Sequence, residues 1–335
     1  MRTSAKVVAF LVFLLPDCAV TYAAHSPAAE QGFPARPVLI IEPFGLGGGP
    51  DLLARALATE LSKLWGQPVV VENHPGAGAT AGPAQVAKSP ADGYTLLLNT
   101  SAQAYSAAFL NSLPYDPLKD FIPVAALTSQ PYVLVAGKGA GITSLRQLIS
   151  SAKARPGELT FTSTGMGTAT HIGVEKLNQM AEIRTNHVPP LPSESNADVM
   201  ASVIAGRVTY YLAPISLALP HIRDGTLVAL GVSTARRSTL LPEVPTIAEV
   251  GVARFNFPIW YGIWAPAGTP KSVVVKLSTD IGRVIGESVL RDWITTHGGV
   301  PMSITQRKFA HFVQVESKDA ARIIKPNGMK PQGRP

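Results

Sequence analysis

Two glycine-rich junctions between a strand and a helix are the parts of this sequence best suited to bind a small anion. The first has the sequence GLGGG at residues 45–49, between an apolar run that begins at Val38 and a helical pattern that begins at Pro50. The second has the sequence TGMGT at residues 164–168 and precedes a helical pattern that begins near Thr170. Backbone N–H groups in the first turn of a helix have no partner within the helix, and the helix dipole favours negative charge there. We therefore expect two loops that close on one small anion.

The glycine run at residues 45–49 differs in its spacing from the fingerprint of dinucleotide-binding proteins. That fingerprint, G-x-G-x-x-G, would place its third glycine at Pro50, although Glu72 imitates the acidic residue that holds a ribose. A tight turn with a purely structural role is the remaining alternative to anion binding through backbone amides. Asp51 follows in the first helical turn, and we expect it to stabilise the loop, because its charge would repel an anion placed beside it.

Hydroxyl side chains and one histidine surround the second junction. Four hydroxyl residues can each cap the helix or donate a hydrogen bond to a carboxylate, and the sequence leaves both roles open. They are Ser163, Thr164, Thr168 and Thr170. His171 lies in the first helical turn, where the helix dipole disfavours an imidazolium, so we expect it to be neutral and hydrogen-bonded.

The sequence offers no arrangement typical of catalysis or of metal binding. Its seven histidines lack the spacing of metal ligands, and no pair of carboxylates stands out for acid–base chemistry. Ser163 and His171 are separated by a loop and a helix start, and the G-x-S-x-G elbow of many hydrolases is missing. We therefore expect a binding protein rather than an enzyme, with no catalytic residue, cofactor or metal.

Composition and the N-terminal segment point to an exported protein with two domains. The chain has 335 residues, of which 46% are hydrophobic and 15% are charged, enough for two cores of ordinary size. Residues 1–24 contain the basic residues Arg2 and Lys6, a short apolar stretch and small residues near Ala24. This pattern is typical of a cleavable secretory signal, and a retained membrane anchor is the alternative. Cleavage would remove Cys18, the single cysteine, so the mature chain would have no disulfide, which fits the bacterial periplasm.

The basic residues are scattered along the chain, although the formal net charge is +7. Nucleic-acid binding proteins carry basic runs interleaved with aromatic residues, so we expect no nucleic-acid partner. A diffuse positive field modestly favours an anionic ligand.

Short β-branched runs alternate with helical patterns, which predicts an α/β protein with mostly parallel sheets covered by helices. The predicted strands are residues 38–41, 69–71, 95–98, 132–135, 159–162, 208–212, 228–232 and 259–264. The predicted helices are residues 50–64, 143–154, 170–181, 196–205, 272–285 and 306–318. The first helix places four leucines on one face, as a helix packed on a sheet requires; they are Leu53, Leu57, Leu61 and Leu64.

An ordered series of short motifs covers nearly all of residues 36–328. The motifs are PFGLGGGPD at residues 43–51, VVVENHPGAG at 69–78, DGYTLL at 92–97, YDP at 115–117, GMGT at 165–168 with His171, HVP at 187–189, LPEVPT at 241–246 and WYG at 260–262. As a set they resemble the Bug-type periplasmic substrate-binding proteins of tripartite tricarboxylate transporters.

The resemblance implies a type II periplasmic-binding-protein fold, with two α/β lobes and a ligand cleft between them. Lobe 1 would comprise residues 36–131 and 257–328 and lobe 2 residues 132–256, followed by a flexible tail at 329–335. Proteins of this family bind small carboxylates largely through loop backbone amides and ordered waters. Carried over by motif and by position, the expected ligand-binding residues are Phe44, Gly47, Gly48, Thr100, Ser101, Thr164, Gly167, Thr168, His171 and Ala213.

This sequence departs from the family pattern at two places. After the motif at residues 187–189 the family usually has an aromatic residue and Lys-Gly, where this chain has PLP at 190–192. The family's V-D-x-x-F-D pattern is replaced here, with Thr209 and Ala213 in the places of the two aspartates. Because such an aspartate can pair with an ammonium group, its loss argues against an amino-acid ligand and for a purely anionic or partly apolar acid.

The resemblance also implies the partners. We expect a monomeric receptor that captures a small organic anion and delivers it to the membrane permease subunits of a tripartite transporter. Two alternatives stay open: a receptor that presents its closed form to a signalling partner without transport, and an α/β enzyme, against which the missing catalytic arrangement counts.

Overall fold

Two separate β-sheets form in the part of the chain that the structure describes, and helices pack on each. This computed structural model describes residues 32–76, 79–109, 113–165, 168–190 and 196–324. The predicted signal segment, the predicted tail and the predicted site residue Gly167 lie outside these ranges. From Pro34 onward the chain forms one compact unit, so both sheets belong to the same body.

The first sheet takes its strands from two distant parts of the chain. In chain order they are β1 (Val38–Glu42), β2 (Val69–Asn73), β3 (Thr95–Thr100), β4 (Phe121–Gln130), β10 (Ile259–Pro266) and β11 (Val300–Pro301). They lie side by side in the order β11-β4-β10-β3-β1-β2. Because β1 pairs in parallel with β2 and β3, the carboxyl ends of these strands, and the loops that follow them, share one edge of the sheet.

The second sheet is built from the segment between the two parts of the first. Its strands are β5 (Tyr132–Gly137), β6 (Thr160–Thr162), β7 (Asn186–His187), β8 (Tyr210–Pro214) and β9 (Leu227–Val232), in the spatial order β7-β6-β8-β5-β9. β6 runs parallel to β7 and β8, whereas β5 runs antiparallel to β8 and β9. The loop after β6 therefore leaves the sheet at the same edge as the loop after β8.

The expectation of mostly parallel sheets is wrong. In the described residues, five strand pairings are antiparallel and four are parallel. The chain leaves the first sheet along β4, enters the second along β5 after the single residue Pro131, and returns along β10. Outgoing and returning strands must run in opposite directions, so β4 and β10 pair antiparallel over most of their length.

Helices connect most of the strands. They are α1 (Gly49–Trp65), α2 (Ala81–Val86), α3 (Ala102–Phe109), α4 (Leu145–Ala154), α5 (Ala169–Ala181), α6 (Asn196–Ile204), α7 (Ile215–Arg223), α8 (Lys271–Gly286), α9 (Ser288–Thr296) and α10 (Gln306–Ile324). The sequence patterns missed β4, β7, β11, α2, α3, α7 and α9, most of which are short. Within the described residues, no helix has both the length and the hydropathy that a membrane crossing requires.

Helix α1 follows from its leucine pattern and its ends. Leu53, Leu57 and Leu61 are buried, which confirms the predicted apolar face. Pro50 stands in the first turn, where its missing N–H costs nothing, and Gly66 ends the helix with φ of 63°. The helix packs on β1, β2 and β3 and so fixes the loop that precedes it.

Ser233 joins the two crossovers between the sheets. The Tyr132 N–H donates to Ser233 Oγ at 2.9 Å, and Ser233 Oγ donates to the Phe257 carbonyl at 2.6 Å. The Ser233 N–H donates to the Tyr132 carbonyl at 2.9 Å, and the Phe257 N–H donates to the Ser233 carbonyl at 2.8 Å. Ser233 is fully buried. One residue thus fixes the outgoing and returning segments against each other.

Phe257 contacts elements of both sheets at the returning crossover. Its ring lies 5.8 Å from the Tyr105 ring on α3 and 6.1 Å from the Tyr132 ring on β5. Helix α5 reaches Phe257 through Gly173, where an added Cβ would lie 2.7 Å from Phe257 Cε1 and overlap the Leu212 side chain. Only glycine allows α5 to approach the crossover this closely.

The last described helix, α10, packs on α3 and β4 of one sheet and on α5 of the other. The Glu316 carboxylate accepts hydrogen bonds from Tyr105 Oη at 2.9 Å and from Trp260 Nε1 at 3.1 Å. On α5, burial lowers the pKa of Lys176, and the charges of Glu316 and Asp319 on α10 act in the opposite direction. The helix therefore contacts both sheets beside the crossovers.

Replacing Ser233 tests the importance of its bonds for stability. We expect Ser233→Ala to lower the free energy of unfolding by about 2–3 kcal/mol, because the buried Tyr132 N–H and Phe257 carbonyl each lose a partner. Urea unfolding followed by circular dichroism measures the change. Ser150→Ala, which removes one exposed hydroxyl bonded within α4 at 3.0 Å, is the matched control. Equal small losses in both variants would contradict this role of Ser233.

Candidate functional site

The first loop connects the end of β1 to the start of α1. Gly48 precedes the helix in an extended conformation without a side-chain cap, and Gly47 has φ of 76°, which favours glycine. The first-turn amides of Gly49 and Asp51 have no acceptor within the helix, because helix geometry provides none. These donors, together with the dipole of a 17-residue helix, suit a negatively charged group.

Asp51 holds this loop in place from inside. Its Oδ2 accepts from the Gly47 N–H at 2.8 Å, and its Oδ1 accepts from Asn73 Nδ2 at 3.0 Å and lies 2.9 Å from Arg55. Burial acts against ionisation, but the bonds from Arg55, Gly47 and Asn73 lower the pKa of Asp51 below its ordinary value. The expectation that Asp51 stabilises the loop is confirmed, and Arg55 and Asn73 compensate its charge.

A second carboxyl group, which the sequence analysis overlooked, lies under the same loop. Glu42 at the end of β1 is fully buried, and its Oε2 accepts from the Phe44 N–H at 3.0 Å and from Asn73 Nδ2 at 2.7 Å. Burial raises the pKa of Glu42 to about 7, and the nearby charge of Asp51 adds to the effect. The sequence does contain an indication of this buried carboxyl group, because Glu42 directly follows four apolar residues of a predicted buried strand.

Because of these internal bonds, fewer amides of the first loop are available to bind a ligand. The Phe44 and Gly47 amides donate to Glu42 and Asp51, and the Gly48 amide lies 3.4 Å from the Gly45 carbonyl. The first-turn amides of α1 are donors that have no acceptor within the helix. Ligand contacts by Phe44, Gly47 and Gly48 stay predictions, and for Phe44 and Gly47 such contacts cannot use the amide without breaking a bond.

Thr100 and Ser101 lie between β3 and α3, at the same edge of the sheet. Thr100 Oγ1 accepts from the Ala102 N–H at 3.1 Å, and the Ser101 N–H donates to the Trp260 carbonyl at 2.8 Å. Ser101 Oγ is buried and has no hydrogen-bond partner among the described residues. Burial raises the pKa values of Tyr105 and Tyr132, and the neighbouring Ser101 hydroxyl opposes this effect for each.

The second loop, between β6 and α5, is held by its own hydroxyl groups. Thr170 Oγ1 accepts from the Thr164 N–H at 2.9 Å and lies 3.0 Å from both Thr164 Oγ1 and Thr168 Oγ1. Thr168 Oγ1 also donates to the Gly165 carbonyl at 2.7 Å. Thr168 precedes the helix but does not cap a first-turn amide with its side chain. As in α1, helix geometry provides the first-turn amides of α5 with no acceptor within the helix.

The His171 side chain is buried in the protein interior rather than exposed at the surface of the second loop. Its side chain is only 2% exposed, and its ring lies 6.0 Å from Phe161 and 4.3 Å from His187. Burial, followed by the neighbouring His187, lowers the pKa of His171 to about 3, and burial lowers that of His187 to about 4. The expectation of a neutral His171 is confirmed. Because of this burial, any ligand contact by His171 would come from its first-turn amide.

Ser163 and His187 form a buried pair that the sequence analysis did not identify. Ser163 Oγ lies 2.8 Å from His187 Nε2 and 3.0 Å from the Gly165 carbonyl, to which it can also donate. A hydroxyl beside an imidazole resembles the pairing of a nucleophile with a base. Ser163 is fully buried, however, so the pair supports the loop and presents no accessible nucleophile.

Ala213 lies in the apolar core of the second sheet. It pairs with Val133 across the strands and belongs to a buried cluster with Val199, Tyr211 and Val232. Thr209, at the other position where the resembling family has Asp, lies with Oγ1 3.2 Å from the Thr160 amide. Within the described residues, no three side chains of the metal-ligating types come together.

A buried tyrosine lies beside each of the two loops. The Tyr261 hydroxyl lies beside the start of α1, where an added Cβ on Gly49 would be 3.3 Å away. Burial raises the pKa of Tyr132, and its phenol also interacts electrostatically with Tyr261 in the first sheet and Tyr211 in the second. Burial likewise raises the pKa of Tyr211, while the neighbouring Thr170 hydroxyl of the second loop opposes it. Tyr261 thus lies beside the first loop and Tyr211 beside the second.

Comparisons with known proteins agree with this architecture. The model of the tripartite tricarboxylate transporter family receptor, TctC, matches residues 53–329. Protein BugT of Bordetella pertussis is 34% identical over 308 residues, which cover 91% of this chain and 93% of BugT. The structure of Rpa4515 from R. palustris with adipate has a TM-score of 0.81 and 31% identity, covering 88% of this chain and 98% of that one.

A second solved structure agrees equally well. MatC from Rhodopseudomonas palustris, solved with bound malate, has a TM-score of 0.77 and 30% identity and covers 87% of this chain and 100% of that one. The likeness to these proteins confirms the predicted α/β fold of two lobes. Because the family model covers most of the chain and BugT is similar over nearly its whole length, this chain belongs to the tripartite tricarboxylate transporter receptor family.

Proposed function

We propose that this chain is a periplasmic receptor that binds a small dicarboxylate between its two sheets and delivers it to a membrane permease. The observation that carries the proposal is the pair of loops that are held by bonds to Glu42, Asp51 and the threonine hydroxyls, each preceding a helix whose first-turn amides have no acceptor within the helix. Two such sets of donors suit a ligand with a carboxylate at each end. Rpa4515 was solved with adipate and MatC with malate, both dicarboxylates, which supports this ligand class.

Binding would work through closure of two lobes. Residues 36–131 and 257–328 form lobe 1 and residues 132–256 form lobe 2 in this proposal, and the crossovers joined at Ser233 are the hinge. A ligand that contacts both loops stabilises the closed arrangement more than the open one, so it shifts the equilibrium between them. No bond of the ligand is made or broken.

The ligand would be an acid without an ammonium group. The two positions where the resembling family has aspartates carry Thr209 and Ala213, and Ala213 is buried in an apolar cluster. The carboxyl groups of Glu42 and Asp51 are buried under the first loop and are directed at its amides. Neither group is placed to pair with a ligand cation.

Export and delivery complete the proposal. Residues 1–24 would be removed on export, leaving a mature monomer without cysteine. The closed, loaded form would then dock on permease subunits in the membrane, which take the acid onward.

A ligand screen tests the proposed function. We expect malate, adipate or a related dicarboxylate to raise the melting temperature of the mature chain, because binding to the native state alone adds stability by mass action. Amino acids of similar size serve as the matched control and should give no shift. A shift with amino acids alone would contradict the ligand class. A folded protein that responds to no acid would contradict carboxylate binding.

Loosening the second loop should weaken binding. We expect Thr168→Val to reduce the affinity for the dicarboxylate found in the screen about fivefold to thirtyfold, since its hydroxyl bonds to Gly165 and Thr170 are worth about 1–2 kcal/mol. Calorimetric titration measures the change. Thr279→Val, which removes a hydroxyl bonded within α8 at 2.8 Å, is the matched control. Unchanged affinity in Thr168→Val would exclude this loop from the ligand site.

A further inference from the structure

Glu42 is a buried carboxyl group that the proposed binding mechanism leaves without a role. It is fully buried at the end of β1, directly under the first loop. Its Oε2 accepts from the Phe44 N–H at 3.0 Å and from Asn73 Nδ2 at 2.7 Å. Its other oxygen, Oε1, has no hydrogen-bond partner among the described residues. Oε2 is therefore fixed to the loop, whereas Oε1 makes no hydrogen bond to a described residue.

The surroundings of Glu42 contain both signs of charge. The charged and titratable groups on the elements around it are Asp51 and Arg55 on α1, Tyr261 on β10, Glu72 on β2 and His74 directly after it. The nearby carboxylate Asp51 is kept ionised by its own partners, so it repels a second negative charge. The ring of His74 is bound to Glu72 at 3.1 Å and faces that residue.

A buried oxygen without a hydrogen-bond partner favours the neutral carboxylic acid. Burial raises the pKa of Glu42 to about 7, while the bonds from Phe44 and Asn73 lower it and Asp51 raises it further. Near neutral pH the group thus exchanges between its neutral and ionised forms. Oε2 can accept the bond from the Phe44 N–H in either form, so the loop keeps its support throughout.

We propose that Glu42 is a positioning residue that takes up a proton when an organic anion binds at the first loop, so that binding strengthens as the pH falls through neutrality. A ligand carboxylate at the first-turn amides of α1 brings a second negative charge close to Glu42. A proton from the solvent then binds at Oε1, removes the repulsion and leaves the bond from the Phe44 amide intact. This inference rests on the proposed function, since it requires an anion at that loop.

The direction of the pH effect follows from linkage. Well below neutral pH Glu42 is already neutral, so binding takes up no proton and affinity does not change. As the pH rises through the pKa of Glu42 in the free protein, ligand binding requires the uptake of a proton. The affinity for the anion therefore falls. Without ligand, the raised pKa means that Glu42 stabilises the fold at acidic pH and that this stability is lost as the pH rises through about 7.

Calorimetric titration of the mature chain with malate and with adipate tests the inference. For a rise of about one pKa unit on binding, we expect affinity about fivefold weaker at about pH 8.5 than at about pH 6.5. Titrations in two buffers with different ionisation enthalpies should give net proton uptake, a readout that needs no variant. His171 and His187, with pKa values of about 3 and about 4, do not titrate in this range.

Two variants assign the effect to a residue. Glu42→Gln should bind with nearly equal affinity at both pH values and without proton uptake. Glu72→Gln, the same change at a half-exposed side chain on the neighbouring strand, should keep the wild-type pH dependence, as should His74→Gln. Loss of the pH dependence in Glu42→Gln alone supports the inference.

The possible failures are distinct. Binding that is independent of pH and takes up no proton in the wild-type chain overturns the role of Glu42 and leaves the proposed function standing. A pH dependence that persists in Glu42→Gln overturns it as well. Failure of every dicarboxylate to bind at either pH overturns both the proposed function and the proton linkage.

Discussion

The hydrogen bonds of Ser233 are the constraint on which the two-sheet architecture depends. The chain passes between the sheets twice, after β4 and before β10, and each passage is only a short segment. Ser233 uses its amide, carbonyl and hydroxyl groups to bind Tyr132 on one passage and Phe257 on the other. Because these bonds lie in the buried interior, where an unpaired amide or carbonyl is costly, the passages hold one arrangement. Tyr132 begins β5 and Phe257 lies two residues before β10, so this junction fixes the strands by which the chain enters and leaves the second sheet.

Both loops follow the same physical principle, in which side chains bond to the loop backbone and the first-turn amides of the following helix have no acceptor within that helix. In the first loop Glu42 and Asp51 take up amides that would otherwise need water or ligand. In the second, the hydroxyls of Thr164, Thr168 and Thr170 bond to one another. A loop ordered in this way loses little further entropy when an anion binds, which favours affinity. The ligand then meets the first-turn amides, whose donors cannot be satisfied within a helix.

The sequence predicted the two glycine-rich junctions between strand and helix, the two-lobe fold and the neutral His171, because each depends on local pattern or on motifs, whereas anion binding at the junctions stays a prediction. It predicted that Asp51 stabilises the first loop, where the Gly47 amide donates to it, but it did not predict the bond from the Phe44 amide to Glu42, whose buried environment beside Asn73 only the fold creates. His187 was seen only as part of a motif, and its contacts with Ser163 and His171 require the pairing of β6 with β7. Strand β4 was missed because its apolar residues are interrupted by Pro123. The mixed direction of the sheets also involves β3 with β10 and β5 with β8 and β9, and strand direction cannot be predicted from apolar runs alone. Predicted contacts between ligand and site residues remain predictions.

The central claim is that an anion held by both loops closes the lobes about the Ser233 junction. Spin labels at two exposed positions, Leu52 on α1 and Met180 on α5, report the separation of the lobes through Leu52→Cys and Met180→Cys. The mature chain lacks other cysteines, so labelling is specific. The account predicts that a saturating dicarboxylate shortens and narrows the distance distribution measured by pulsed electron paramagnetic resonance. An unchanged distribution, in a sample where calorimetry proves that the acid is bound, would contradict it.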